Sequence, residues 1–129
     1  MNPASEDIKD LITQSDGVGT FGVDVFIGDE PSQPDLCVTI YDDGGLAPDL
    51  ATDLEFLNVR VEVRGAANGY KATYNKIERI RNLLHGDHQR QVPDGTRYLL
   101  IAAMSDPAYV RQDERNRPMF SIDFQVTRT

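Results

Sequence analysis

Residues 57–64 alternate strictly between apolar and polar side chains, and this pattern constrains the fold more than any other feature of the sequence. A period of two places successive side chains on opposite faces of a β-strand. The apolar residues are Leu57, Val59, Val61 and Val63, and the polar ones are Asn58, Arg60, Glu62 and Arg64. Other elements must therefore cover one face of the sheet, whereas the opposite face suits solvent or a partner.

Further strands are predicted from the same kind of evidence. Residues 120–126 again alternate, and β-branched or aromatic runs occupy residues 21–27, 37–41 and 97–103. Between residues 42 and 53 the chain is rich in Gly, Pro and Asp without an apolar period, which predicts a long loop. These segments indicate a sheet of four to five strands.

Two segments show apolar residues at helical spacing. Residues 6–14 follow Ser5, which is a good N-cap, and residues 70–84 end before His85 and Gly86, which are typical of a helix stop. Strands interspersed with two amphipathic helices predict an α+β fold, with a mostly antiparallel sheet and both helices packed on one face. The length suits a single domain over residues 1–129.

Charge and composition restrict the possible partners. The 129 residues carry a formal net charge of −8 and give a pI near 4.6, so we expect no surface that grips nucleic-acid phosphates. No apolar run approaches the roughly 20 residues of a membrane span, so no membrane partner is expected. Cys37 is the only cysteine, which excludes an internal disulfide, and we expect it to be buried in its strand.

Three short motifs could suggest chemistry, but each has a simpler structural explanation. His85 and His88 straddle a glycine instead of lying four residues apart on a helix face, and His85 is expected to cap the helix carbonyls. Residues 42–45 lack the ligand spacing of a calcium loop, and the glycines at 17–22 precede a strand instead of opening a helix. No catalytic residue, metal or cofactor is predicted, so the chain is not expected to be an enzyme.

The order of several segments resembles a known family. These are residues 26–28, 34–35, 38–42 with 44–45, 59–65, 84–86, 95–98 and 116–118. In order and spacing they are similar to the minor capsid proteins of tailed, siphophage-like bacteriophages that act as tail terminators. The resemblance extends over nearly the whole chain.

This resemblance implies a structural virion protein at the junction of head and tail. It implies a homo-oligomeric ring, hexameric, that caps the tail tube and contacts the head-completion proteins, while DNA passes through without specific binding. The location would be the virion, with the host cytoplasm during assembly. Alternatives are a head-completion or stopper protein of the same connector and a small unrelated enzyme, for which the two histidines are the only support.

A ring subunit needs polar surfaces that pair with its neighbours and a channel wall that repels DNA. The residues predicted to contribute to subunit contacts are Arg60, Glu62, Arg64, Arg111, Arg115 and Arg117. The cluster from Arg111 to Arg117 also contains acids, so a solvated loop is an equal alternative there. The acids predicted to face the channel or to form an assembly loop are Asp42, Asp43, Asp49 and Asp53, followed by Asp29 and Glu30.

Overall fold

The computed structural model describes residues 1–15 and 17–129, and this part of the chain contains two helices and seven strands. The helices are α1 (Ala4–Thr13) and α2 (Tyr70–Leu84). The strands are β1 (Val25–Ile27), β2 (Cys37–Gly45), β3 (Glu55–Arg64), β4 (Asp87–Gln91), β5 (Arg97–Ala103), β6 (Ala108–Gln112) and β7 (Pro118–Arg128). All seven strands form one sheet.

The longest strand, β7, organises this sheet. On one side its residues pair with β3 in antiparallel register from Met119 to Arg128. On the other side its first half pairs with β6 and its second half with β5. The sheet continues through β2 and β1 beyond β3, and through β4 beyond β5. Because β6 pairs only with β7 among the described strands, its second edge is available to a further strand.

The predicted α+β class is confirmed, but the sheet is larger than expected and mixed. Four to five mostly antiparallel strands were predicted, whereas seven are present and β1 runs parallel to β2. The additional strands β4 and β6 are almost entirely exposed. Backbone pairing holds β4 to β5 and β6 to β7, and in β6 the ring of Tyr109 also packs against Phe120 and Tyr70. A search for apolar alternation could not detect them.

The helices and the apolar strand residues form one core. Val61 of β3 and Ile122 of β7 are register partners, and both are buried beneath the helices. The helix residues in the same cluster are Ala4, Ile8, Ile12, Ile77, Ile80 and Leu84. The prediction that both helices pack on one face is thus confirmed. Neither helix of the described residues is long and apolar enough to cross a membrane.

Two predicted element boundaries were wrong near the N-terminus. The first helix begins at Ala4, and its N-cap position is held by Pro3 and not by Ser5. The predicted strand over residues 21–27 is reduced to β1, because the backbone turns at residues 22–24, with the amides of Val23 and Asp24 donating to Thr20 O. The second helix lies where it was predicted, and Cys37 is buried as expected, which raises the pKa of its thiol.

The predicted loop over residues 42–53 was too long at its start. β2 continues through Gly45, which pairs with Leu57 after a register shift that begins at Asp42. At Gly45 φ is +145°, and a Cβ atom there would lie 2.2 Å from Phe56 O, so only glycine fits this close approach. The loop therefore covers residues 46–54.

A buried polar network closes the end of the core where β7 finishes. Arg128 donates to Glu55 Oε2 at 2.9 Å, to Asn2 O at 2.8 Å and to Tyr98 Oη at 3.2 Å. The Tyr98 hydroxyl in turn donates to the carboxylate of Asp7. Burial and the bond to Asp7 raise the pKa of Tyr98, so its hydroxyl remains a donor at neutral pH. The network connects α1, β3, β5 and β7.

Candidate assembly surface

The sheet face opposite the helices carries a row of paired charges. Arg60 of β3 stands beside Asp123 of β7, and its Nε donates to Asp123 Oδ1 at 3.1 Å. Its Nη2 donates to Asp43 Oδ2 on β2 at 3.3 Å. All three side chains are about half exposed. Exposed pairs of this kind contribute little to stability, typically under about 1 kcal/mol, so the row remains suited to contact with a partner.

Arg64 lies at the end of the same face of β3, but it is buried and binds other parts of its own subunit. Only 3% of it is exposed. Its guanidinium donates to Glu30 Oε1 at 2.8 Å, to Pro34 O at 2.8 Å and to Asp35 O at 3.1 Å. These bonds fasten the segment between β1 and β2 onto the sheet. The predicted subunit-contact residue is therefore committed to the fold of its own subunit.

Arg117 resembles Arg64 in its burial and its partners. Its Nε donates to Asp113 Oδ2 at 2.7 Å, which closes the β6–β7 turn. Its Nη1 reaches Ser32 O at 2.7 Å and Asp35 Oδ1 at 3.1 Å. The two arginines therefore hold the β1–β2 connection from both sides. The structure brings together the two predicted clusters, residues 60–64 and 111–117, through this connection.

Glu62 lies between Arg60 and Arg64 on the outer face of β3 and is partly buried. Burial and the nearby Glu30 raise its pKa. The same environment acts on Tyr41. Its pKa is raised to about 12 by burial and by the nearby carboxylates of Glu62, Glu30 and Asp29. This part of the outer face is therefore locally acidic, although Arg60 and Arg111 oppose the effect at Glu62.

The remaining predicted contact residues lie at the free edge of the sheet. Arg111 belongs to β6, and Arg115 to the turn that follows it, and both are exposed. Tyr109 and Val110 of the same strand are large hydrophobic residues that are also exposed. An edge strand with this mixture of charged and apolar side chains can accept a further strand or a loop.

Residues 13–129 match the protein family described as bacteriophage tail terminator protein. The chain belongs to this family. In a comparison with curated proteins, none matches the sequence. The family match confirms the resemblance that the sequence indicated, and it makes the chain a structural component of a phage tail.

The four acids that we associated with the terminator channel or with an assembly loop fall into two groups. Asp42 accepts hydrogen bonds from Ser5 N at 3.0 Å and Ser5 Oγ at 2.6 Å, and so stabilises the first turn of α1. Asp43 pairs with Arg60. Asp49 and Asp53 lie in the loop that follows and are exposed. Only the second pair thus belongs to a projecting loop.

Sequence reasoning missed the apolar residues of this terminator loop. Leu46 is 67% exposed and Leu50 is 97% exposed. We had noted only the Gly, Pro and Asp content of the segment. Two leucines in such a segment, without a helical or strand period, were the available signal that the loop could contact a partner.

The two histidines serve local structure in this terminator subunit. His85 is the C-cap residue of α2, as predicted, but it caps the carbonyl of Arg81 with its backbone amide at 2.8 Å, while its side-chain Nδ1 accepts the backbone amide of Ala103 at 2.9 Å. His88 Nδ1 lies 3.0 Å from Gly86 O. Among residues 1–15 and 17–129, no group of three His, Cys, Asp or Glu side chains could hold a metal ion.

Proposed function

We propose that this tail terminator subunit assembles into a closed homo-oligomeric ring, hexameric as the resemblance implies, that caps the tail tube. The ring would stop tube growth on one side and bind head-completion proteins on the other. The observation that carries this proposal is the outer sheet face, where charges on three adjacent strands stay half exposed and weakly stabilising. Alternating charges select register and partner more than they add affinity, which suits contacts between identical subunits.

We propose subunit contacts through Arg60 and Glu62 on the outer face and through Arg111 and Arg115 at the edge of β6. Arg111 and Arg115 are exposed and Arg60 is about half exposed, which supports this assignment, whereas Glu62 is partly buried beside them. Arg64 and Arg117 would act indirectly, because they hold the β1–β2 connection against the same face. The free edge of β6 offers backbone groups to the contact.

A ring of this kind must pass DNA without holding it. Each phosphate neutralised by Lys or Arg adds salt-dependent affinity and therefore drag. We propose that Asp29 faces the channel, because it acts together with Glu30 and Glu62 to raise the pKa of Tyr41. Glu30 is paired with Arg64 within the subunit, and we propose that it adds to the same negative potential. Asp42 and Asp43 are engaged within the subunit, so Asp49 and Asp53 are proposed for the assembly loop instead.

The proposal predicts a defined defect when the protein is absent. Phages that lack it should produce tails of irregular, excessive length that do not join to heads. Electron microscopy of lysates with and without plasmid-encoded protein measures tail length and attachment. Native mass spectrometry of the purified protein, alone and with isolated tail tubes, measures the number of subunits.

The location of the protein separates a terminator from a head-completion or stopper protein. A terminator should copurify with headless tails, whereas a stopper should copurify with tailless heads. Tails of uniform normal length without the protein, or its presence only on tailless heads, would contradict the proposal.

A further inference from the structure

The β2–β3 loop presents an apolar side chain on an ordered support. Asp49 N donates to Leu54 O, and Asp53 N donates to Asp49 O, both at 2.9 Å. Asp49 Oδ1 also accepts the amide of Ala51 at 2.9 Å. Within this closed turn Leu50 is almost fully exposed, and Leu46 at the base is exposed as well. A folded loop that holds two leucines in solvent has the form of a protein contact.

An apolar groove lies between the end of β3, the start of β2 and the first turns of α2. Leu36, Ala66 and Ala72 contribute its apolar side chains, and Gly65 and Gly69 its closest backbone. At Gly65 an added Cβ would lie 1.7 Å from Thr73 Oγ1, so small residues are required where strand and helix meet. The groove has a volume of about 320 Å³, which is enough space for a few side chains.

The far side of this groove is basic, and the loop is acidic. Lys76 and Arg79 follow Ala72 at helical spacing on the same face of α2 and line the groove. Lys76 Nζ donates to the carbonyl of Val18, and Arg79 to that of Gly17. The loop carries Asp49 and Asp53 beside its leucines. The apolar side chains and the charges of the two surfaces are therefore complementary.

The two surfaces cannot meet within one subunit. The loop ends directly before β3 begins at Glu55, and the groove includes Gly65, directly after β3 ends. Ten residues of extended strand separate them, which is roughly 30 Å. Two different complementary surfaces at opposite ends of one subunit define a head-to-tail contact, and such contacts close into rings when the rotation between copies allows it.

We propose that the groove of each subunit binds the β2–β3 loop of the next copy of this chain. Leu50 would enter the groove between Leu36 and Ala72, and Asp49 and Asp53 would approach Lys76 and Arg79. The inference rests on the proposed ring and specifies one of its contacts. It adds an apolar anchor to a set of contacts that are otherwise charged.

Two variants test the contact from its two sides. Leu50→Asp places a charge on the loop, and Ala72→Glu places an acid in the groove, where it repels the approaching aspartates. Both positions are exposed in the free subunit, so thermal unfolding of the monomer should change little. Met104→Asp, at another exposed hydrophobic position outside both surfaces, is the matched control.

Native mass spectrometry and sedimentation should show rings for the wild type and for Met104→Asp, and monomers for the two test variants. An equal mixture of Leu50→Asp and Ala72→Glu retains one intact loop and one intact groove per pair. It should therefore form dimers and nothing larger, which only a head-to-tail contact explains. Rings of Leu50→Asp with the wild-type mass would overturn the loop contact while leaving the proposed ring in place. A wild type that stays monomeric at every attainable concentration, and on tail tubes, would overturn both.

Discussion

The sheet carries two networks of arginine and carboxylate side chains, one buried on its inner face and one half exposed on its outer face. On the inner face Arg128 joins Glu55, Tyr98 and Asn2 at a buried site, and Tyr98 extends the network to Asp7. On the outer face Arg60 joins Asp123 and Asp43 in a half-exposed row. Both networks connect three or more elements through hydrogen bonds and ion pairs of arginine, so the types of contact alone do not distinguish them.

Burial decides the difference between them. A buried charge that loses its partner costs several kcal/mol, because the remaining group cannot regain water. An exposed pair loses little, because solvent replaces the partner. The inner network therefore stabilises the subunit, whereas the outer network leaves its charges available for a neighbour. Substitutions of Arg128 in the inner network, of Arg60 in the outer network and of Glu62 beside it test this difference.

The inner network predicts the largest loss of stability. Arg128→Met keeps an unbranched side chain of similar length, but it leaves the partly buried Glu55 without its cation and removes the donor to Asn2 O and Tyr98 Oη. We expect the free energy of unfolding at neutral pH to fall by about 3 kcal/mol, at the lower end of the range for breaking a buried pair. Urea unfolding followed by circular dichroism measures it.

The matched control is Arg97→Met, which removes an exposed arginine from the neighbouring strand β5. It should change the free energy of unfolding by no more than about 0.5 kcal/mol. A loss below about 1 kcal/mol for Arg128→Met would show that burial does not separate the two networks.

The outer network predicts a small effect on the subunit and a larger one on assembly. Arg60→Met should lower the free energy of unfolding by less than about 1 kcal/mol. It should weaken association by about tenfold, equivalent to roughly 1.4 kcal/mol for each contact, because the charge that selects the partner is gone. Sedimentation equilibrium measures the association.

Arg81→Met is the control for assembly. Arg81 pairs with Asp106 at 2.6 Å, away from the outer sheet face, and it does not line the groove proposed to bind the next copy. Unchanged association in both variants, or an equal loss in both, would remove the outer row from the interface.

The sequence predicted those parts of the fold that depend on burial. The alternation of Val59, Val61 and Val63 was enough to predict the buried face of β3. The apolar residues at helical spacing were enough to predict both ends of α2. Strand β6 escaped prediction because every one of its residues is exposed and the strand shows no apolar alternation; its hydrogen bonds to β7 and the ring contacts of Tyr109 with Phe120 and Tyr70 define it. Local sequence carries no record of such a partner.

The candidate site shows the same limit. Arg60 and Arg64 are both polar positions in one alternating strand and look equivalent in the sequence. They differ because the β1–β2 connection lies over Arg64, about 30 residues away in the chain, and not over Arg60. The exposure of Leu50 likewise depends on the turn closed by Asp49 and Asp53. Long-range packing, and not residue type, decides which polar residues are available to a partner.

The smallest predicted effect concerns Glu62, whose burial is intermediate between the buried inner network and the half-exposed outer network. Burial and Glu30 raise its pKa, so its charged form is less favourable in the folded subunit than in the unfolded chain. A raised folded-state pKa contributes stability that is fully present below the unfolded value and is lost as the pH rises through the folded value. At neutral pH Glu62→Gln should therefore raise Tm by no more than about 3 °C, since about 1 kcal/mol corresponds to roughly that shift in a domain of this size. The difference should disappear below a pH of about 4, where Glu62 is protonated in both states. Calorimetry between about pH 4 and neutral pH measures the difference in Tm, with Glu114→Gln in the exposed β6–β7 turn as the control.

If Glu62→Gln stabilises the subunit and also weakens the ring, the carboxylate is retained for its neighbour at a cost to the fold. A variant that is less stable at neutral pH would instead place Glu62 with the inner network, as a charge that its own subunit requires.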